Sequence, residues 1–126
     1  MVDSAVRAKS YAFALRVIRL AKLLRARGEF DLARQLLRSG TSIGANIEEA
    51  RAGSSRADFN AKMKIASKEA REAHYWLRLL RDSKTLGPEE LRIELNLADQ
   101  LVSLLTAIVK TTSLEPSPNS KLKTQN

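Results

Sequence analysis

Four long segments of the chain carry apolar residues at the three- and four-residue spacing of an α-helix. Short breaks that contain Gly28, Gly53 and Gly87 separate these segments, and glycine is the residue that most readily ends a helix. Since connections this short force neighbouring helices to run antiparallel, the sequence predicts an all-α, antiparallel, up-down four-helix bundle. The predicted helices span about 6–27, 29–52, 56–82 and 88–112.

The length and composition of the chain fit one such domain. It has 126 residues, of which only three are proline and five are glycine, and 29% are charged. A chain of this size and composition builds a single core. We assign residues 1–113 to the bundle and residues 114–126, a polar segment with two prolines, to a disordered tail.

Each predicted helix has one stripe of apolar residues that should face the core. In the second helix, Gly40 and Gly44 each cost about 1 kcal/mol of helix stability relative to alanine. Close approach by a neighbouring helix would compensate for this cost, and a break of the helix at Gly40 is the alternative. The predicted core residues of the first three helices are Val6, Phe13, Val17, Leu20, Leu24, Leu32, Leu36, Ile43, Ile47, Ala50, Phe59, Met63, Ala66, Ala70, Ala73, Leu77 and Leu80.

The first and fourth helices carry more apolar surface than one bundle can bury. Tyr11, Leu15 and Ile18 form a second stripe about 120–140° around the first helix, and the fourth helix is apolar over most of its circumference. The surplus predicts a homo-oligomer in which another subunit covers these faces. The stripes of the fourth helix are Leu91, Leu95, Ala98, Val102, Leu105 and Val109, and Ile93, Leu97, Leu101, Leu104 and Ile108.

The residues that usually carry chemistry are absent or isolated in this sequence. Cysteine is missing, which excludes disulfides and thiolate ligands, and the one histidine, His74, has no second ligand at metal-binding spacing. We interpret His74 as a boundary residue of the bundle. Neither a nucleophile elbow nor a glycine-rich phosphate loop is present. We therefore expect no cofactor, no metal and no catalysis, and an enzyme with sites shared between subunits cannot be recognised from one chain.

The apolar stretch near the N-terminus is interrupted by charges. Arg16, Arg19 and Lys22 fall between Phe13 and Leu24, so neither a signal peptide nor a membrane span fits. We expect a cytoplasmic protein with no membrane partner.

Positive charge is concentrated on two of the predicted helices. The net charge is +8, from 22 Lys and Arg against 14 Asp and Glu. Residues 1–28 hold seven basic residues against one acidic, and residues 54–84 hold eight against four. The third helix places Lys64, Lys68, Arg71 and Arg78 on one arc, together with Tyr75. Such a face can follow phosphates, or it can be an ordinary solvated face with intrahelical pairs such as Lys68 with Glu72.

Three stretches resemble the 23S rRNA intervening-sequence protein family, also called the four helix bundle protein family. They read QLLRSGTSIGANIEEA at 35–50, SRADF at 55–59 and KIASKEAREAHYWL at 64–77. The resemblance covers roughly residues 10–112. It implies a bacterial, homopentameric barrel of bundles, and it does not imply catalysis. A related branch, the accessory variability protein of diversity-generating retroelements, is associated with binding of nucleic acid and a reverse transcriptase.

The resemblance also assigns a structural motif to four polar residues. Carried over by position, these are Gln35, Ser42, Asn46 and Asp58. Because buried polar groups need hydrogen-bond partners, we expect them to fix the register between helices or subunits.

The leading hypothesis is a non-enzymatic, oligomeric bundle that binds RNA or DNA with little sequence specificity. The alternative is a protein-interaction scaffold that docks a protein partner on the oligomer. The residues predicted to contact phosphates are Arg16, Arg19, Lys64, Lys68, Arg71 and Arg78.

Overall fold

The computed structural model describes residues 4–114 and folds them into four helices with no strand among them. Each helix packs against the next along the chain, and the last packs against the first, whereas the backbones of diagonal pairs do not approach each other. This arrangement confirms the predicted four-helix bundle. The helices are α1 (Ser4–Ala26), α2 (Phe30–Ala52), α3 (Arg56–Asp82) and α4 (Pro88–Leu114).

The last turns of α4 extend beyond the predicted end at residue 112. Leu114, which we predicted to begin the tail, is helical. The side-chain amide of Asn60 on α3 explains the difference, because it donates to Thr112 Oγ1 at 2.6 Å and to Ser113 Oγ at 3.1 Å. Residues 115–126 of the predicted tail lie outside the described residues.

Local signals in the sequence fix the helix ends. Gly28 closes α1 with a φ of 83°, a left-handed conformation that glycine adopts without strain. Ser55 caps α3, since its hydroxyl accepts a hydrogen bond of 3.0 Å from the backbone N–H of Asp58. At the start of α4, the backbone N–H of Gly87 donates to Glu90 Oε1 at 2.9 Å, and this hydrogen bond lowers the pKa of Glu90.

The core follows the predicted stripes in α1 and α3 and departs from them in α4. The buried line of α4 runs between its two predicted stripes and includes a carboxylate, Glu94. The remaining members of both stripes flank this line, and most of them are half-buried. The buried residues of α4 are Leu91, Glu94, Ala98, Leu101 and Leu105. Within residues 4–114 no helix combines the length and apolar character that crossing a membrane requires.

Gly40 lies where α1 and α2 approach most closely. A Cβ atom at Gly40 would stand 2.7 Å from Val17 Cγ1, whereas one at Gly44 would meet its nearest neighbour, Ser10 Oγ, at 3.5 Å. The helix continues without a break through both glycines. The predicted close approach is therefore confirmed at Gly40, and the alternative of a break there is wrong.

We predict that Gly40→Ala lowers the free energy of unfolding by about 1–2 kcal/mol. Overpacking a core costs about 1–3 kcal/mol, which exceeds the gain of about 1 kcal/mol in helix propensity. Val17 is fully buried and β-branched, so it has little freedom to move aside. Urea denaturation measures the change, with Gly44→Ala as the matched control, for which we expect equal or greater stability. A Gly40→Ala variant as stable as Gly44→Ala would contradict the prediction.

Candidate nucleic-acid interface

The basic arc consists of Lys64, Lys68, Arg71 and Arg78 on α3. At 100° per residue the four side chains fall within about 80° of one another when α3 is viewed along its axis. All four residues are exposed. The buried residues of α3 lie on the opposite side, so the arc points away from the core.

The cations of the basic arc form no salt bridge within residues 4–114. No carboxylate of residues 4–114 lies within salt-bridge distance of any of its four side chains, and the predicted Lys68–Glu72 pair does not form. Other arginines of the chain are paired, for example Arg7 with Glu48 at 3.1 Å. Within the described part of the chain, the four cations of the arc therefore remain available for contact with an external anion.

Arg38 on α2 explains why the acidic residues of α3 leave the arc free. Its guanidinium donates to Glu69 Oε1 at 3.2 Å and also to Glu72 Oε2. Partial burial works to raise the pKa of Glu72, but hydrogen bonds from Trp76 and Arg38 more than offset it, so this pKa lies below its ordinary value. The hydrogen bond to Glu72 raises the pKa of Arg38. Both carboxylates thus contact Arg38 on the α2 side of α3.

An aromatic side chain lies within the basic arc. Tyr75 is 47% exposed, and its ring meets the ring of Trp76 edge-on, with 5.3 Å between the centroids. The guanidinium carbon of Arg78 lies 5.7 Å from the centroid of Tyr75, within the range of a cation–π contact. The helical spacing predicts Tyr75 on the arc, and in the structure Trp76 and Arg78 contact its ring.

A groove between α3 and α4 borders the arc. It consists of two depressions of about 410 and 450 Å³ that are both lined by Arg71. Arg71 donates to Ser67 Oγ at 3.2 Å, and Lys110 of α4 lies across the groove from Lys64. Sequence reasoning missed Lys110, because only the pairing of the helices brings it beside α3.

His74 lines the same groove as a boundary residue. Its Nε2 lies 2.7 Å from Asp99 Oδ1, and its side chain is 22% exposed. The described residues contain no cluster of three or more His, Cys, Asp or Glu side chains suited to a metal ion. The structure therefore pairs His74 with a carboxylate of the neighbouring helix.

Arg16 and Arg19 do not join the basic arc. Both lie on α1, which is diagonal to α3 in the bundle. Arg16 Nε donates to Glu94 Oε2 at 2.8 Å, and Glu94 is only 6% exposed at its side chain. A buried carboxylate needs such a partner, so Arg16 supports the α1–α4 contact instead of offering a free cation. Arg19 is exposed and has no ion pair within residues 4–114.

A comparison with known protein families identifies the family of the chain. A family described as 23S rRNA-intervening sequence protein matches residues 2–107. The chain belongs to this family. A comparison with curated proteins finds no match.

A protein of known structure shares the fold of this chain. It is a protein of unknown function from the S23 ribosomal protein family of Bacteroides thetaiotaomicron, solved at 1.70 Å resolution. The two are 45% identical and superpose with a TM-score of 0.79, over 83% of the present chain and 98% of the other. The relationship thus extends to the three-dimensional structure.

Two of the four motif residues of this chain contact each other within one helix. Asn46 Nδ2 donates to the carbonyl and the hydroxyl oxygen of Ser42, at 2.9 and 3.1 Å, inside α2. Gln35 is half-buried, and Asp58 is exposed in the first turn of α3. We therefore find no hydrogen bond between helices from their side chains in residues 4–114. A role in fixing register between subunits stays a prediction.

We predict that Arg38→Gln lowers the free energy of unfolding near neutral pH by about 1–3 kcal/mol, because buried Glu69 loses its partner. The same substitution should also make the free energy of unfolding depend less on pH. Glu72 has a lowered pKa, so its contribution is present above the ordinary glutamate pKa and is lost as the pH falls through the lowered one. Without the guanidinium of Arg38, the pKa of Glu72 should lie closer to its ordinary value.

Urea denaturation from neutral pH to about pH 3 measures both effects of Arg38→Gln. The matched control is Arg34→Gln, also on α2, whose pair with Asp31 is exposed at both side chains. We expect this control to change stability by less than about 0.5 kcal/mol. A stability profile of Arg38→Gln that runs parallel to the wild-type profile would show that Arg38 does not set the pKa of Glu72.

Proposed function

We propose that this protein is a non-enzymatic, oligomeric bundle of the cytoplasm that binds RNA or DNA through the basic arc of α3. The observation that carries the proposal is the exposure of the arc: four outward cations with no carboxylate at salt-bridge distance in residues 4–114. Such an array favours a polyanion, since each phosphate it neutralises releases counterions. The family description refers to an intervening sequence of 23S rRNA, which supports RNA among the partners.

The geometry of the arc suits contact with a nucleic-acid backbone. Lys64 and Arg78 are separated by about 21 Å along the axis of α3, so the arc can meet several successive phosphates. Lys110 adds a fifth cation across the groove. Phosphate contacts position a strand without reading its bases, so little sequence specificity is expected.

We predict that Lys68→Glu combined with Arg71→Glu lowers the affinity for RNA or DNA at least tenfold at low salt. The loss of about two phosphate contacts should also reduce the slope of log affinity against log salt by about 1.5–2. Fluorescence anisotropy with labelled RNA and DNA at two salt concentrations measures both quantities.

The control for this experiment is Arg34→Glu combined with Arg92→Glu, which changes the net charge equally but on α2 and α4. Both arginines are 68% exposed and pair with a carboxylate of their own helix. We expect a much smaller loss of affinity. Absence of binding by the wild-type protein at low salt, or equal losses in the two double variants, would rule out the proposed interface.

We also propose that the chain forms a homo-oligomer through the outer faces of α1 and α4; the pentameric barrel is what the family resemblance implies. Tyr11, Leu15 and Ile93 are 70%, 46% and 42% exposed, and the contact between α1 and α4 is the least extensive of the four helix contacts. Another subunit would cover these apolar side chains. Several arcs on one assembly would raise the avidity for a long nucleic acid.

Static light scattering should give a mass several times the 14.0 kDa of one chain. Leu15→Glu combined with Ile93→Glu should reduce it, because burying a charge at an apolar interface is costly. Ile65→Glu is the control, since Ile65 is 41% exposed but lies on α3. A monomeric wild-type protein, or dissociation by the control alone, would contradict the proposed contact faces.

The exposed apolar residues favour a second candidate function, a scaffold that docks a protein partner on the oligomer. Exposed apolar patches commonly mark protein–protein contact sites. Affinity capture before and after nuclease treatment separates the two candidates. A partner retained through the nuclease supports the scaffold, and a partner lost with the nucleic acid supports the binding function of the arc.

A further inference from the structure

Tyr75 occupies a position in the basic arc that phosphate binding does not explain. It lies one helical turn beyond Arg71, beside Arg78, with close to half of its surface open to solvent. An exposed aromatic ring can pack against a flat apolar group, whereas a phosphate gains nothing from an aromatic face. The ring of Tyr75 therefore suits a ligand group that is flat and apolar.

The ring of Tyr75 is held by its neighbours. Trp76 contacts it at an interplanar angle of 66°, and the Trp76 Nε1–H in turn donates to Glu72 at 3.2 Å. Glu72 is bound by Arg38. This chain of contacts restricts the side chains around Tyr75 before any ligand arrives, which reduces the entropy lost when a ligand stacks on the ring.

We infer that Tyr75 stacks on an unpaired base, so that the basic arc selects single-stranded nucleic acid over duplex. The inference rests on the proposed function and names the class of nucleic acid. A base in a duplex already has both faces covered by its neighbours, whereas an unpaired base offers a free face to an aromatic side chain. Lys68 and Arg71 lie one to two turns before Tyr75 on the same arc, where they would hold the phosphates on one side of the stacked nucleotide.

Phosphate contacts and stacking have different signatures in solution. Removing a cation that contacts a phosphate changes both the affinity and its salt dependence, whereas removing a stacking ring changes the affinity alone. Stacking contributes about 1–3 kcal/mol per base, which corresponds to a change in affinity of roughly 5- to 150-fold.

The experiment compares single-stranded RNA with duplex RNA of the same length at two salt concentrations. We expect the wild-type protein to bind the single strand more tightly. Tyr75→Ala should weaken single-strand binding by roughly 5-fold or more, leave duplex binding within about twofold, and keep the salt slope unchanged. Tyr75→Phe should retain most of the wild-type affinity, since it keeps the ring.

Two further variants make the comparison specific. Leu79→Ala removes a partly exposed apolar side chain from the next turn of α3 and should leave the preference for single strands intact. Lys68→Gln should weaken binding to both forms and reduce the salt slope by about 0.7–0.9. Thermal melting of each variant confirms that it is folded.

The outcomes separate this inference from the proposed function. A preference for single strands that survives Tyr75→Ala, or tighter binding of duplex by the wild-type protein, would overturn the role of Tyr75 while the phosphate interface stands. Absence of binding to either form by the wild-type protein would overturn both.

Discussion

The contact of Arg38 with Glu69 and Glu72 determines how charge is distributed over α3. That helix carries both acidic and basic residues, and Glu72 lies one turn from Lys68, where the two could form an intrahelical pair. The guanidinium holds both carboxylates at the seam between α2 and α3. One flank of α3 is consequently bound into the bundle as an ion-pair network, and the other remains a set of free cations.

The fold could be predicted from the sequence where each helix has a single apolar stripe. In α3 the spacing of Ala73, Leu77 and Leu80 fixes which side is buried, because no other side offers comparable apolar area. In α1 the buried side is the longer of two stripes, the one that includes Val17 and Leu24. In α4 nearly every side is apolar, so periodicity alone does not define the buried direction. In the structure, the buried side of α4 includes Glu94, whose carboxylate is paired with Arg16, 78 positions earlier in the chain.

Part of the candidate site follows from the residue spacing of a single helix, and part follows from which helices pack together. Lys64, Lys68, Arg71 and Arg78 could be assigned to one surface because their spacing on a single helix fixes their directions. The ion pair of Arg16 with Glu94 could not be predicted in this way, and neither could the position of Lys110 beside the groove. Both depend on which helices become neighbours, and a count of charges along the sequence contains no information on that.

Trp76 is the only tryptophan of the chain, and it stands at the junction of these features. Its indole N–H is bonded to Glu72, and its ring contacts Tyr75. We therefore expect the emission of this one fluorophore to respond to the protonation of the carboxylate on one side and to ligand contact with the tyrosine ring on the other. The unlabelled protein thus contains a spectroscopic probe at the border between its ion-pair network and its open surface.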